Sequence, residues 1–379
     1  MKKKAVAVML SIALSAVMLA GCGTDGSAEV AGDATTVEDS GQSDDVAEAE
    51  DQDVSDAVQK EEDEADNVES QDAAEEVADD YQSVDVRIGS LKGPTSMGLV
   101  YLMDQAKKNE AANNYEFKMA ATADELLPSM ISGDLDIVLV PANVASVLYN
   151  KTEGAVSVID INTLGVLYIV SGDDTIQSME DLKGRTVYLT GKGTTPDYVL
   201  QYLLKENGLT DDVSLEYKSE AAEVAAVLTE TPEVVGVLPQ PYVTAACAQN
   251  ENLSVVLDLT NEWATVQGEG GSSLVTGVTV VRNAFLEENK AAVDKFLEEH
   301  AASADYANEH VEEAAELVAA AGIIEKAPVA VKAMPKCNIT YIAGSDMKTA
   351  LSGYLEVLFE QDASSVGGSL PNDDFYYIK

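Results

Sequence analysis

The chain has 379 residues, with 67 Asp or Glu against 23 Lys or Arg and a formal net charge of −44. That excess argues against a nucleic-acid-binding surface, which needs basic side chains at the phosphates, while 46% hydrophobic residues leave ample material for one large or two medium domains. With three cysteines, two histidines and no HExxH, Cys-x-x-Cys or Gly-x-Ser-x-Gly motif, metal and acyl-transfer chemistry lack their usual equipment, and no metal, cofactor or catalytic residue is expected.

Residues 1–21 divide into a basic cluster, Lys2 to Lys4, an apolar run over 5–18 and the small stretch Leu19-Ala20-Gly21 ahead of Cys22. A run of ~14 apolar residues is short of the roughly 20 that cross a bilayer, so it reads as a signal peptide. Leu-Ala-Gly-Cys resembles the bacterial lipobox, which implies cleavage before Cys22, lipid on that cysteine and anchoring to the outer face of the cell membrane. Residues 24–83 then carry 23 acids against the single base Lys60, with one aromatic, Tyr81. Such a segment buries too little apolar surface to offset the entropy of ordering, and its like charges extend it. We read 22–83 as the lipidated cysteine and a solvated acidic tether with a typical reach of ~40–50 Å; a partner-binding acidic tail is the other reading.

From residue 84 onward short β-branched runs alternate with helical stretches, the pattern of parallel strands joined by crossover helices. Strands are predicted at 85–91, 115–120, 136–140, 156–161 and 165–170, with helices at 97–110, 123–132 and 142–150. A second group repeats the scheme: strands at 186–190, 214–217, 234–238 and 254–257, helices at 196–207, 221–231 and 242–249. A strand at 275–282 leads into helices at 284–308, 311–321, 328–334 and 346–361, expected to return and cover the first lobe. Gly133 and Gly208 follow predicted helix ends, and Thr122 and Thr194 precede helix starts where a side-chain oxygen can cap. His300 and His310, in a Glu- and Ala-rich region, are expected at the surface, and Cys247 and Cys337 read as two buried thiols, although a disulfide is open to them outside the cytoplasm.

Ligands of open α/β sheets bind beyond the carboxyl ends of strands, where loops and helix starts offer free N–H groups. Four loops qualify. The first offers Lys92, Gly93, Thr95 and Ser96; the second, Pro141-Ala142-Asn143, offers Asn143; the third offers Gly191, Lys192, Thr194 and Thr195; the fourth, Pro239-Gln240-Pro241-Tyr242, offers Gln240 and Tyr242. The Gly-Lys-Gly-Thr-Thr run lacks the spacing of a nucleotide-binding P-loop and is better read as an anion- or amide-binding nest. The only tryptophan, Trp263, is a candidate for stacking on a ring, against the plainer reading of a core residue.

Four stretches carry a family resemblance: Val86-Arg87-Ile88-Gly89-Ser90-Leu91-Lys92-Gly93-Pro94-Thr95-Ser96-Met97-Gly98, Gly133-Asp134-Leu135-Asp136-Ile137, Asp181-Leu182-Lys183-Gly184-Arg185-Thr186-Val187 and Leu238-Pro239-Gln240-Pro241-Tyr242-Val243-Thr244. Over nearly all of 84–379 the chain resembles the substrate-binding lipoproteins of ABC importers of the nitrate/taurine/alkanesulfonate type, including relatives for pyrimidine thiamine precursors. The resemblance implies a two-lobed α/β type II periplasmic-binding-protein fold, with lobe one at 84–170 and 277–379, lobe two at 171–276, and two hinge strands crossing near 170–172 and 273–276. It also implies a monomeric, non-enzymatic receptor that captures a small solute and hands it to a permease driven by a separate ATPase. An enzyme of the same fold and a surface sensor are the alternatives. Arginine is scarce, Arg87, Arg185 and Arg282 being the whole supply, each in or beside a predicted strand, so a bidentate clamp for a sulfonate is not expected.

Overall fold

The computed structural model describes residues 81–379; residues 1–21, expected as a signal peptide, Cys22 and all but the end of the acidic segment lie outside the described residues. The first lobe begins with β1 (Asp85–Leu91), α1 (Pro94–Met97), α2 (Val100–Lys108) and β2 (Asn114–Ala120). It continues through α3 (Leu127–Ser132), β3 (Ile137–Pro141), α4 (Ala142–Lys151) and β4 (Val156–Leu164). β5 (Leu167–Ser171), β6 (Thr186–Thr190), α5 (Thr195–Glu206), β7 (Ser214–Lys218), α6 (Ala221–Glu230), β8 (Val235–Pro239), α7 (Tyr242–Gln249), β9 (Ser254–Asp258) and α8 (Leu259–Gln267) follow. The chain then returns with β10 (Val275–Arg282), α9 (Asn283–Glu288), α10 (Lys290–Glu309), α11 (Val311–Ala320), α12 (Ala327–Ala333), β11 (Ile339–Ile342) and α13 (Gly344–Gln361).

These strands form two sheets, one of six in the order β11-β4-β10-β3-β1-β2 and one of five in the order β7-β6-β8-β5-β9. β1 pairs in parallel with β2 and β3, and β6 with β7 and β8; β10 and β5 run antiparallel to their neighbours. The burial of each strand follows its place. β3 is an unbroken apolar run, as a strand covered on both faces must be, whereas the edge strand β2 alternates exposed and half-buried residues.

The chain changes sheet at Gly165-Val166, earlier than the expected crossing at 170–172, because Leu167 to Val170 pair with Pro239 to Gly236 in the second sheet. Glycine is required there: a Cβ on Gly165 would lie 2.2 Å from Thr260 Oγ1. The return agrees better with expectation, β10 starting at Val275 opposite Leu164. Other helices are cut shorter than their sequence pattern suggests. The predicted 97–110 helix is divided into α1 and α2, 123–132 opens with a 3-10 turn, and 284–308 breaks at Asn289.

α10 and α11 pack on the first lobe as expected, but α13 joins both lobes, with Tyr354 against Trp263 at 5.6 Å and Trp263 against Tyr202 at 4.7 Å. His300 is not at the surface. It is fully buried on the inner stripe of α10, with Nδ1 3.1 Å from Asp160 Oδ2, while Thr279 donates to Asp160 Oδ1 at 2.7 Å. The thiols are free: Cys337 is buried, which pushes its pKa up to about 12, and Cys247 is half-buried. Among the described residues no helix is long and apolar enough to cross a membrane.

Candidate functional site

Strand register brings the four loops to one place. Ser90 is opposite Leu139, Pro141 opposite Gly277, and Leu164 opposite Val275, so the carboxyl ends of β1 and β3 lie level with the end of β4 from which the chain crosses. In the second sheet Leu167 is opposite Pro239, Tyr168 opposite Asp258, and Tyr188 opposite Gly236, which sets the carboxyl ends of β6, β8 and β9 beside the start of β5. Only Gly165 and Val166 separate β4 from β5, so both sets of strand ends face the crossover. That junction is where a ligand of this topology binds.

On the first lobe, Lys92 is exposed and Gly93 adopts φ 152°, ψ −156°, with open space where a Cβ would stand. Thr95 and Ser96 are buried and turned back on their own strand. The Thr95 hydroxyl donates to the Leu91 carbonyl at 3.2 Å, and Ser96 Oγ lies 2.5 Å from that carbonyl and 2.7 Å from Ser90 Oγ. Thr95 also forms the floor beside Gly277, where an added Cβ would sit 2.6 Å from Thr95 Cγ2. Asn143, half-buried at the start of α4, accepts from the Thr195 hydroxyl of the second lobe at 3.4 Å, and this contact bridges the lobes. Tyr168 and Tyr198 add further bridges, donating to the Lys336 carbonyl at 2.7 Å and to Asp362 Oδ2 at 3.2 Å.

On the second lobe, Gly191 and Gly193 hold φ of 70° and 74°, left-handed values that favour glycine. Thr194 stands at the N-cap of α5, but its hydroxyl donates back to the Gly191 carbonyl at 2.6 Å rather than capping the helix. The loop closes on a residue that the sequence reading did not single out: Asp197, buried, accepts from Gly193 N at 2.7 Å, from Gln201 Nε2 at 2.6 Å and from the Tyr217 hydroxyl at 2.7 Å. Burial and this carboxylate together push the Tyr217 phenol above its usual pKa. Lys192 is exposed, its Nζ 5.3 Å from the Tyr217 ring centre.

Gln240 is 2% exposed and joined to Pro241 by a cis peptide. Its backbone N–H donates to the Val166 carbonyl at 3.0 Å, fixing it against the crossover, and its Oε1 accepts from the Thr244 hydroxyl at 2.9 Å. Its Nε2 is buried without a partner, as is Thr260 Oγ1 against Gly165. The fully buried Tyr354 hydroxyl faces Thr195 without a hydrogen bond of normal geometry. Buried polar atoms are rarely left unpaired, so Gln240 Nε2 and Thr260 Oγ1 beside the crossover, with the Tyr354 hydroxyl near the interlobe residue Thr195, mark where bonds to a ligand can form; Arg282 Nε and His300 Nε2 are also unpaired, on the first lobe. Tyr242 is 43% exposed at the start of α7, two residues after Gln240. Trp263 does not reach the site: it is fully buried, and its indole N–H donates to the Ser272 carbonyl at 2.9 Å. Thr260 and Tyr354 escaped the sequence reading because their neighbours at the junction are supplied by distant parts of the chain.

Two lobes built on separate sheets, crossed by the chain and facing each other through opposed loops, define the periplasmic-binding-protein fold. The chain is similar to the crystal structure of an ABC transporter from Parabacteroides distasonis at 23% identity and a TM-score of 0.65, covering 79% of this chain and 100% of that one. It is similar to the periplasmic aliphatic sulphonate binding protein SsuA of Escherichia coli at 18% identity and 0.61, covering 78% and 96%. A ligand-binding component of an ABC-type import system from Staphylococcus aureus, solved with zinc bound, shares 17% identity at 0.57, covering 78% and 97%. No curated protein matches the chain in sequence. Residues 108–261, which run from the end of α2 through the whole second sheet, match the family described as ABC transporter, phosphonate, periplasmic substrate-binding protein. That match covers less than half of the chain, so together with the fold it shows a likeness to the substrate-binding components of ABC importers.

Proposed function

We propose that the chain captures one small polar solute at the crossover between its lobes and presents it, lobes closed, to a membrane permease powered by a separate ATPase. Residues from both sides take part: Lys92, Gly93, Thr95 and Asn143 from the first lobe, Thr195, Gln240, Tyr242 and Thr260 from the second, and Tyr354 from α13, which touches both. The observation that carries this reading is the buried, unpaired Gln240 Nε2, in a residue whose backbone N–H is fixed on the Val166 carbonyl at the crossover. Such an atom costs about 1–3 kcal/mol while unpaired and recovers that when a solute accepts from it. Gly191, Lys192, Thr194 and Ser96 shape the loops; Trp263 supports the junction from the core.

In this proposal the protein acts as a monomer outside the cytoplasm, attached to the membrane through lipidated Cys22 with the acidic segment as tether. Cys22→Ala would then release the protein from the membrane fraction without changing solute affinity. Thermal unfolding of the full chain against a panel of small solutes tests capture: a ligand at one hundred times its Kd stabilises by about 2.7 kcal/mol. Folded protein that no small solute stabilises would refute the proposal.

A further inference from the structure

We infer that the solute is uncharged, carrying a carbonyl or similar acceptor and a compact ring or polyol body, and that anions are disfavoured. This rests on the capture reading above and narrows it. All three arginines are engaged elsewhere. Arg87 donates to Asp136 through Nε at 2.9 Å and through a terminal nitrogen at 2.7 Å, and Arg282 reaches the same carboxylate at 2.9 Å. Arg185 holds Asp173 at 2.7 Å and the Asp181 carbonyl at 2.8 Å. No guanidinium is left to grip a sulfonate or phosphonate in bidentate fashion.

The nest at the start of α5 is also taken. Paired left-handed glycines ahead of a 12-residue helix are the geometry that receives an anion, yet the Gly193 N–H already donates to the chain's own Asp197 carboxylate. An incoming anion would meet that buried negative charge. Lys92 and Lys192 are exposed to water, where a single charge discriminates weakly, and Lys332 and Lys336 line a groove of about 490 Å³ between α7 and α12 that includes no residue of the four loops. The groups the junction leaves without partners are neutral, the Gln240 amide, the Thr260 hydroxyl and the Tyr354 phenol, with Tyr242 partly exposed beside them, while the Asp258 carboxylate at the end of β9 already accepts from Thr260 N at 2.9 Å and would repel an anion. An amide N–H with no partner, in a residue 2% exposed, asks for an acceptor, and a neutral carbonyl supplies one without the cost of stripping water from a full charge that no cation at the junction offsets.

The test is equilibrium dialysis of the full chain in detergent against a defined mixture of small metabolites sorted by charge at neutral pH. The mixture includes the matched pairs nicotinamide and nicotinate, uracil and orotate, together with methylphosphonate, ethanesulfonate and simple amines, and retained compounds are identified by mass spectrometry. The inference expects uncharged compounds to be retained, retention to fall about 10-fold in Gln240→Leu, and the Kd of the best compound to change less than about 2-fold between 0.05 and 0.5 M salt, since a lysine-held anion is screened over that range. Retention of an anion or a cation ahead of the uncharged set overturns the inference and leaves capture standing. Retention of nothing overturns capture and the inference together.

Discussion

Replacing Gln240 by leucine distinguishes an amide that faces a solute from one that only caps α7. The side chain makes one good hydrogen bond, Oε1 with the Thr244 hydroxyl at 2.9 Å, and a long one with Thr244 N at 3.4 Å. Losing both costs about 1–2 kcal/mol. Against that, leucine removes a buried Nε2 with no partner, relieving about 1–3 kcal/mol, and adds apolar contact of similar volume. The two effects nearly cancel, so solute-free stability in urea should change by under about 1 kcal/mol, a few degrees or less in Tm for a domain of this size. Binding has no such compensation, and loss of the Nε2 bond should weaken affinity about 10-fold or more by calorimetry. A variant destabilised by more than about 3 kcal/mol while binding its solute as well as the parent would show that Gln240 is structural and refute the reasoning.

Three further substitutions probe the surroundings. Gly277→Ala places a Cβ 2.5 Å from Asn162 Oδ1 and 2.6 Å from Thr95 Cγ2, so overpacking should cost about 1–3 kcal/mol in denaturant unfolding and, by shifting Thr95, lower affinity as well. Trp263→Phe should reduce stability yet leave affinity within about two-fold, because the indole lies in the core and bonds Ser272. For Asp136, burial alone would raise the carboxyl, but hydrogen bonds from the Arg87 side chain and backbone and from Arg282 outweigh it and hold the pKa below the usual range. A depressed folded pKa contributes stability above about pH 4 that is lost as pH falls through the folded value. Asp136→Asn should therefore cost about 2–3 kcal/mol at pH 7, less than a fully buried pair because Arg87 is 38% and Arg282 25% exposed, and its deficit against the parent should shrink in Tm scans below pH 4.

Much of the fold was legible because local pattern and global role agree. β1, β6, β10 and α7 fall where their residues predict: apolar runs bounded by turn residues, and a helix that starts directly after Pro241. The misses have local causes. α8 follows β9 without a turn, and its Leu-Thr-Asn-Glu-Trp-Ala-Thr-Val-Gln sequence is rich in residues of modest helix propensity, so only the Asp258 side chain, accepting from Thr260 N, marks its start. β11 is four residues long and mostly half-buried. The sheet change at Gly165-Val166 hides inside what reads as ordinary strand, since only pairing reveals that Leu164 and Leu167 belong to different sheets.

His300 was misjudged for its acidic neighbours Glu298 and Glu299, although Val293, Phe296, Leu297, Ala304 and Ala307 trace a buried stripe at helical spacing that includes it. The site divides the same way. Loops at strand ends, with their glycines and hydroxyls, can be read in sequence. What each group does with its hydrogen bonds cannot, because Thr195 meets Asn143, and Tyr354 meets Trp263, across long stretches of chain.

Capture between two lobes is the central claim, and hydrogen exchange of the full chain with and without its stabilising solute tests it most directly. The account predicts simultaneous protection, on solute addition, of backbone amides at 91–97 and 142–144 in the first lobe and at 190–197, 240 and 242 in the second, with β2 and α11 unchanged. Protection confined to one lobe, or centred on the groove between α7 and α12 and absent from the four loops, would contradict it.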